Sequence, residues 1–425
     1  MLCGSIGGMR TLITNGTMLD AGSMTLVGER HIVMESDRIV DVADARPDID
    51  ADAVIDARGR FVMPGFVDAH VHHVITSVDF SSMLRQSAVE RSLAMAKLAE
   101  AMVGRGFTTV RDAAGDVSGL IRAIDSGLCL GPRIATAGRC LSQTGGHGDL
   151  TPADNRNDQG PCACHVHSNE MSHVADGPDA VRLAARLELR AGSDFIKIMS
   201  SGGVASPTDP FDAIQYTPEE IRAITTETDH RHTYTTAHAY QPDAISQAIE
   251  NGVRCIEHGN LLDEPTATRM AELGVTMVPT LVTYRVMRES GAKFGMPERN
   301  LEKNQGVFEL GQNSIGVARA AGVQLGFGTD LLGELQPAQN QEFAIRAELE
   351  PAVDVLRSMY DVNVRLCRAE GRIGRLEPGY SADVVVSNVD PLANLAGLAE
   401  PDAALAAVVC RGGIVFDRTA FDRTE

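Results

Sequence analysis

The sequence predicts an α/β fold, a (β/α)₈ TIM barrel with a small β-sandwich domain built from both chain ends. The middle of the chain alternates short apolar strand candidates with helical segments, which is typical of a parallel sheet covered by helices. Both ends instead show short strands joined by tight turns. The 425 residues also exceed what one hydrophobic core usually organises. We therefore expect a sandwich from residues 1–63 and 371–425 and a barrel from residues 64–370.

The strands of the expected sandwich come from two separated stretches of sequence. The first stretch contains TLITNGTMLD, HIVMESDRIVDV and AVIDARGRFVM, and the second contains ADVVVSNVD and AVVCRGGIVFD. The NG and ARG segments carry residues that favour turns, so we expect the chain to reverse direction there. Because both stretches show the same pattern, we predict that they pair with each other in one small domain.

Eight strand candidates follow along the middle of the chain. They are FVMPGFVDAHVH, FTTVRDA, RIATAG, DFIKIMSSG, YTTAHA, RCIEHG, VTMVPT and VQLGFGTD. The helical segments between them include AVERSLAMAKLAEAMVGRG, DAVRLAARLELRAG, TPEEIRAITTETDHRH and PDAISQAIENG. The last two of these open with a proline at the first helical position, which is pre-organised for a helix start. Eight strands over this length match a (β/α)₈ barrel.

Composition excludes several classes of function. The net charge is −19, from 38 basic and 57 acidic residues, and the lack of a basic stretch argues against nucleic acid or an anionic membrane as partner. No apolar run approaches the roughly 20 residues that cross a bilayer. The start of the chain shows no secretory signal pattern, and eight irregularly spaced cysteines suggest reduced thiols. We therefore expect a cytoplasmic protein that binds neither nucleic acid nor a membrane.

Three histidines occupy four consecutive positions in the segment GFVDAHVHHV, at the end of the first barrel strand candidate. Successive side chains on a strand point to opposite faces, so His70 and His72 share a face and His73 points away. Two imidazoles on one face can hold one metal ion. We therefore predict that His70 and His72 are a ligand pair and that His73 is a packing residue.

Further ligand-type side chains lie at or near the ends of later strands, at the rim where barrel active sites form. The whole set is His70, His72, Lys197, His238, His258 and Asp330. Imidazole and carboxylate suit Zn²⁺ and similar divalent ions. Four histidines and an aspartate exceed what one tetrahedral ion with an open position can use, so we expect two ions that share a hydroxide. A buried lysine beside cations is largely neutral and can add CO₂, so Lys197 is a candidate for a metal-bridging carbamate.

The segments PGFVDAHVH, DFIKIMSSGG, AHAY, IEHG and GFGTD resemble the amidohydrolase superfamily, in its binuclear form with a carbamylated lysine. The resemblance covers essentially the whole chain. It implies one ion, the more buried, bound by His70, His72 and Asp330. It implies a second ion bound by His238 and His258, with the Lys197 carbamate bridging both. Asp330 would also take a proton from the bridging water and pass it to the leaving group.

A narrower resemblance concerns the substrate. The segments TTVRDAAGD, TGGHGD, KIMSSGGVASPTDP, AHAY and FGTDLLG are similar to a group related to imidazolonepropionase. That group includes Xaa-Pro dipeptidases (prolidases) and dipeptidases that cleave before Arg or Lys. The resemblance implies that His147 and Tyr240 hold the free C-terminal carboxylate of a small peptide-like substrate. It also implies a zinc-dependent dipeptidase that forms a homo-oligomer.

Other interpretations remain open from the sequence. The same metal centre would serve an N-acyl amino acid amidase, a carboxypeptidase-like enzyme, or a hydrolase of lactones or cyclic amides. A catalytically silent scaffold is disfavoured by the intact ligand set. The segment CACHVH, with Cys162, Cys164, His165 and His167, has poor spacing for a structural zinc site. We interpret it as part of a long loop that lines the substrate site.

Overall fold

The computed structural model describes residues 9–83, 85–151, 170–206 and 209–419. The CACHVH segment, residues 162–167, lies outside these ranges. Within the described ranges, no helix is both long enough and apolar enough to cross a bilayer.

The secondary structure alternates as expected through the middle of the chain. The strands are β1 (Arg10–Asp20), β2 (Thr25–Glu35), β3 (Arg38–Ala43), β4 (Ala53–Asp56), β5 (Phe61–Pro64), β6 (Phe66–Val71), β7 (Phe107–Asp112), β8 (Arg133–Thr136), β9 (Cys140–Ser142), β10 (Ser172–Val174), β11 (Ile196–Met199), β12 (Thr235–Ala239), β13 (Cys255–His258), β14 (Thr276–Val278), β15 (Val384–Ser387), β16 (Leu405–Cys410) and β17 (Gly413–Asp417). The α-helices are α1 (Phe80–Met83), α2 (Ala88–Gly104), α3 (Ser118–Asp125), α4 (Pro178–Ala191), α5 (Pro218–His230), α6 (Pro242–Glu250), α7 (Glu264–Glu272), α8 (Leu281–Ser290), α9 (Glu298–Lys303), α10 (Val307–Ala321), α11 (Gln341–Leu349), α12 (Ala352–Arg357), α13 (Asn363–Leu366) and α14 (Pro401–Ala404). Short 3₁₀ helices cover Gly291–Phe294, Gly333–Ala338 and Leu395–Ala399, and a π-helical turn covers Ser358–Val362.

Both chain ends contribute strands to one sheet. Its order is β17-β16-β15-β5-β1-β2-β3, and β4 also pairs with β1. The two ends meet at the antiparallel pair of β5 and β15, where Met63 lies opposite Val385. The ends of the chain therefore pair, as the sequence indicated. The two-layered sandwich and the domain boundaries stay predictions.

The Asn-Gly pair near the amino terminus does not form the expected turn. Strand β1 runs through it, and its register with β2 shifts between Ile13 and Gly16. Asn15 has a φ of 60°, so the pair forms a bulge inside a continuous strand. A Cβ on Gly16 would lie 2.2 Å from a methyl group of Val62, which explains the glycine. The Ala-Arg-Gly segment does form a turn, with Arg60 N–H bonded to Ala57 at 2.9 Å.

The parallel strands form a six-stranded sheet, β10-β9-β11-β12-β13-β14, and a three-stranded sheet, β6-β7-β8. The eighth strand candidate, VQLGFGTD, forms no regular strand. Its backbone nevertheless bonds to both flanking strands, from Gly326 N–H to Met277 and from Ala69 N–H to Phe327, each at 2.8 Å. The segment thus links β14 to β6. A single closed eight-stranded barrel stays a prediction.

The helices expected between the strands are present as α2, α4, α5 and α6. Both α2 and α5 begin with a capping box, in which Ser87 or Thr217 bonds reciprocally with the glutamate three residues later. Each such cap contributes about 1 kcal/mol to helix stability. The prolines expected at the starts of α5 and α6, Pro218 and Pro242, are the first residues of those helices.

The strands that lead to the candidate site are buried on both faces. Every residue of β6, β7, β11, β12 and β13 is buried. This burial is typical of parallel strands that are covered by helices. Polar side chains at the carboxyl ends of these strands are therefore shielded from bulk water.

Candidate metal centre and active site

His70 and His72 lie side by side at the end of β6, with their Nε2 atoms 3.3 Å apart. Both Nε2 atoms face the Oδ1 atom of Asp330, at 3.4 and 3.0 Å respectively. The N–H of Asp330 donates to the carbonyl of His70 at 2.8 Å, which ties the 324–330 segment to the strand. Three potential ligand atoms therefore converge on one point.

His238 and His258, at or near the ends of β12 and β13, complete the cluster of imidazoles. Their ring centroids are 4.6 Å apart, and the ring of His258 is 5.0 Å from that of His70. Ligand atoms of His70, His258 and Asp330 all lie within 4.8 Å of one another. His258 and Asp330 both adopt positive φ angles, 75° and 51°, which L-residues rarely do. Such backbone outliers are common at functional sites.

The protonation pattern leaves lone pairs free to bind a cation. His70 Nδ1 lies 2.8 Å from the carboxylate of Glu257, which can only accept, so His70 keeps its lone pair on Nε2. That lone pair faces a carboxylate oxygen of Asp330. Likewise His238 Nε2 donates to the carbonyl of Gly202 at 3.1 Å, which leaves its lone pair on Nδ1. Two acceptors that face each other repel unless a cation lies between them, so this donor set fits divalent metal ions.

Burial keeps most of these imidazoles neutral. It lowers the pKa of His70 to about 4, with a further contribution from the nearby Lys197. Burial also lowers the pKa values of His238 and His258 well below the usual range. For His72, burial acts in the same direction, but the contact with Asp330 outweighs it and raises the pKa. Neutral imidazole is the form that binds metals.

Lys197 lies on β11 and is 1% exposed. Its backbone pairs with Thr236 of β12, so its side chain enters the same cavity as the histidines. Burial lowers the pKa of Lys197, although the charges of Glu257 and Asp330 oppose this effect. A lysine with a lowered pKa has a larger neutral fraction, which is the form that reacts with CO₂.

A buried ion pair that the sequence analysis missed lies behind His70. The guanidinium of Arg111 donates to Glu257 at 2.5 Å, and Thr236 also donates to this carboxylate. Arg111 and Glu257 are both fully buried. Burial acts to raise the pKa of Glu257, but the charge of Arg111 outweighs it and keeps the carboxylate ionised. Charged residues inside the apolar strand segments FTTVRDA and RCIEHG were the available signal.

His73 lies apart from the cluster, as strand alternation predicts. Its Nδ1 atom is 2.8 Å from the carboxylate of Asp112, and its backbone N–H donates to the same oxygen at 3.0 Å. Both side chains are fully buried. This arrangement fits a packing residue.

His147 and Tyr240 line the same cavity, next to the candidate ligands. The ring of His147 stacks on that of His238 with centroids 4.2 Å apart, and its Nδ1 lies 3.4 Å from the carboxylate of Asp209. A Cβ on Gly203 would lie 2.3 Å from the His147 ring, so only glycine allows this approach. Tyr240 stacks on Phe211 at 4.9 Å.

One cavity of about 40 Å³ is lined by all the predicted site residues. The rest of its described lining is mostly apolar and includes Ile75, Phe80, Met171, Met287 and Leu332. Tyr284, which the sequence analysis did not single out, also lines it. The structure therefore brings the six candidate ligands and the two candidate substrate-binding residues together.

Comparison with known proteins places the chain among characterised enzymes. The model of the amidohydrolase family matches residues 61–415. Ochratoxinase from Aspergillus niger is 29% identical over 365 residues, which span 84% of this chain and 75% of that protein. The crystal structure of a prolidase complexed with N-methylphosphonate-L-proline is 42% identical, with a TM-score of 0.90, covering 96% of this chain and 99% of that one.

The structure of a Xaa-Pro dipeptidase with methionine in its active site is 28% identical to this chain, with a TM-score of 0.83. The similarity covers 95% of this chain and 99% of the chain of that dipeptidase. These similarities imply a TIM barrel with an additional domain, which agrees with the predicted fold class in outline.

Proposed function

This chain belongs to the amidohydrolase family and acts on amide bonds, and we propose that it is a metal-dependent dipeptidase for small substrates with a free C-terminal carboxylate. The observation that carries the proposal is the single cavity that joins the candidate metal ligands to His147 and Tyr240. Similarity to a prolidase and a Xaa-Pro dipeptidase over nearly the whole chain supports it.

We assign the ligands of two divalent ions, with zinc as the expected metal, to the clustered side chains. One ion would be held by His70, His72 and Asp330. The other would be held by His238 and His258, with a carbamate on Lys197 between them. When bound, such ions polarise the scissile carbonyl and lower the pKa of the attacking water.

Asp330 is the group that moves the proton in this proposal. Burial acts to raise its pKa, but the interactions of Asp330 with the neighbouring His70 and His72 outweigh burial and lower it. The carboxylate is therefore ionised and can accept the proton of the attacking water. It then delivers that proton to the leaving nitrogen as the amide bond breaks.

The cavity lining favours an apolar substrate side chain over a basic one. Asp330 is the only carboxylate among the described lining residues, and it faces histidines. A guanidinium or ammonium on the substrate would therefore lack a dedicated partner there. This supports Xaa-Pro or aromatic substrates rather than Xaa-Arg or Xaa-Lys.

The same observation favours a second candidate, an N-acyl amino acid amidase. A dipeptide has a free α-ammonium group, whereas an N-acyl amino acid has none. Among the described residues of the lining there is only one carboxylate, which fits the neutral acyl end well. Both candidates share the amide bond and the C-terminal carboxylate.

For the fold, we propose that the 324–330 segment closes an eight-stranded barrel between β14 and β6. We also propose that residues 1–63 and 371–425 form a β-sandwich beside a catalytic barrel of residues 64–370. The backbone bonds of Gly326 and Ala69, and the sheet shared by both chain ends, support this division.

Release of amino acids from a dipeptide library tests the function. The enzyme is purified with zinc and bicarbonate, each free dipeptide is paired with its C-terminal amide, and Asp330→Asn is the inactive control. Cleavage confined to free carboxylates, with proline or an aromatic residue preferred, is the expected result. No cleavage by a preparation with two metal ions per chain would contradict the dipeptidase proposal. Cleavage of N-acyl amino acids by that preparation would then support the second candidate.

A further inference from the structure

The hydroxyl oxygen of Tyr240 already accepts a hydrogen bond from the protein. The hydroxyl of Tyr284 donates to it at 3.0 Å, and the nearby backbone of Val204 opposes the rise in the pKa of Tyr240 that burial causes. A phenol has two acceptor lone pairs and one donor. Because the hydrogen between the two phenols belongs to Tyr284, the proton of Tyr240 is left for the cavity.

The donor to Tyr240 is itself part of a longer chain of hydrogen bonds. The hydroxyl of Thr280 lies beside the phenol oxygen of Tyr284 and opposes the rise in the pKa of Tyr284 that burial causes. Because Tyr284 gives its own hydrogen to Tyr240, its oxygen can only accept from Thr280. Thr280 precedes α8 directly, and Tyr284 lies in the first turns of that helix. The two groups are thus held on one rigid element.

At its other end, this series of hydrogen bonds reaches a candidate metal ligand. The Oγ1 atom of Thr280 lies 2.8 Å from Nδ1 of His258. Because a hydroxyl has one hydrogen and Thr280 gives it to Tyr284, its oxygen must accept from His258 Nδ1–H. His258 then keeps its lone pair on Nε2.

The four side chains that form this series of hydrogen bonds are shielded from water. The exposed fractions are 0% for Thr280, 1% for Tyr284, and 3% for both Tyr240 and His258. Hydrogen bonds in such an environment are stronger than in water and polarise one another. Water is therefore a poor competitor for the direction in which the bonds run.

We propose that Thr280 and Tyr284 are positioning residues that fix the direction of hydrogen bonding, so that Tyr240 offers only its proton to the substrate carboxylate. This inference rests on the proposed function. The bonds run from His258 through Thr280 and Tyr284 to Tyr240, and onward to the carboxylate. An anion accepts such a proton more strongly than a neutral carbonyl does.

The series of hydrogen bonds also couples two parts of the site, the metal ligand His258 and the substrate-binding Tyr240. The tautomer of His258 that leaves Nε2 free for a metal ion is the one that starts the chain. The same bonds then leave the proton of Tyr240 for the substrate carboxylate. Recognition of the substrate carboxylate and the tautomer of the metal ligand His258 thus depend on the same hydrogen bonds.

The test compares Tyr284→Phe with wild type on a free dipeptide and on its C-terminal amide. We expect KM for the free acid to rise about tenfold, because Tyr240 is then free to turn its proton away from the carboxylate, and KM for the amide to rise much less. Calorimetric binding of the released C-terminal amino acid to the zinc-loaded protein should weaken in parallel. Zinc content per chain should stay at the wild-type value.

Three further variants make the test specific. Thr280→Val should shift KM in the same direction as Tyr284→Phe. In a Tyr240→Phe background, Tyr284→Phe should have no additional effect, since the two act through one proton. Tyr360→Phe is the matched control, because it removes a buried phenol bonded to the carbonyl of Pro64 at 2.8 Å, outside the cavity lining.

The outcomes separate this inference from the proposed function. If wild type does not prefer the free acid, the proposed function fails and this inference fails with it. If wild type prefers the acid but Tyr284→Phe raises both KM values equally, only this inference fails. A lower KM for the acid in Tyr284→Phe would also overturn it, because Tyr240 would then have been donating to Tyr284. If Tyr284→Phe does not fold, the KM ratio of Thr280→Val decides by the same criteria.

Discussion

His70 donates through Nδ1 to the carboxylate of Glu257 at 2.8 Å, in a site where both side chains are almost completely excluded from water. The bond sets the tautomer of His70 and directs its Nε2 lone pair at Asp330. The Arg111 guanidinium balances the charge of Glu257 at 2.5 Å. His70 on β6 is therefore oriented by an ion pair whose members, Arg111 and Glu257, lie on β7 and β13.

Glu257→Gln should weaken metal binding. The glutamine side chain is uncharged, so His70 loses the carboxylate that orients it. The buried charge of Arg111 also loses its partner. Loss of such an orienting group typically lowers metal affinity by about 10- to 100-fold. Competition with a zinc chelator measures the affinity. Glu188→Gln is the control, since the buried carboxylate of Glu188 pairs with the half-buried Arg139 at 2.7 Å, outside the cavity lining. An equal loss of zinc affinity in that variant would contradict the prediction.

Lys197→Ala should abolish the carbamate and lower the zinc content of the protein. A methyl side chain can neither add CO₂ nor bridge two ions. Intact mass spectrometry and ¹³C spectra of protein prepared in labelled bicarbonate detect the carbamate, and elemental analysis gives the zinc content. Lys97→Ala, at an exposed position of α2, should leave both unchanged. A normal zinc content in Lys197→Ala would rule out the bridging role.

Lys303→Met should loosen one wall of the cavity. The ammonium of Lys303 donates to the carbonyls of Gly203, Ser206 and Asp209 at 3.0, 3.0 and 2.8 Å, which uses all three of its hydrogens. Amide exchange in residues 203–206 should accelerate, and KM should rise because Val204 lines the cavity together with Tyr240. Hydrogen-exchange mass spectrometry is the measurement.

The control for this prediction is Lys293→Met, at an exposed lysine. It should change neither the exchange rates nor KM. Unaltered exchange in the wall segment of Lys303→Met would show that the three bonds do not stabilise it.

Glu342 should make stability depend on pH. Burial raises the pKa of Glu342 to about 8 from 4.5, although Arg346 opposes the rise. A raised pKa means that the folded state binds the proton more tightly, so this stability is present below about pH 4.5 and is lost as pH rises through about 8. Glu342→Gln should therefore gain stability relative to wild type across that range, by on the order of a few kcal/mol.

Urea unfolding at pH values between these limits measures the difference. Glu348→Gln is the matched control, since Glu348 is an exposed residue of the same helix, α11. It should leave the pH profile unchanged. Parallel profiles for wild type and Glu342→Gln would disprove the assignment.

The family of the chain and the identity of its candidate ligands could be predicted from the sequence. His70 and His72 share a face because strands have a period of two, which needs no tertiary information. His238 and Asp330 were found at or near the ends of strand candidates, where barrel sites form. The Asn-Gly turn was predicted wrongly, since partners across a sheet decide whether Asn15 sits in a turn or a bulge.

The sequence by itself determined which chemical groups are available and in what order they follow one another, because periodicity and strand ends are local properties of the chain. The tertiary structure alone decided which nitrogen of each histidine keeps its lone pair. That choice depends on partners such as Glu257 and Thr280, which come from other elements and meet the rings only through space. A hydrogen bond acts over about 3 Å, so its direction is set by folded distances and not by spacing along the chain.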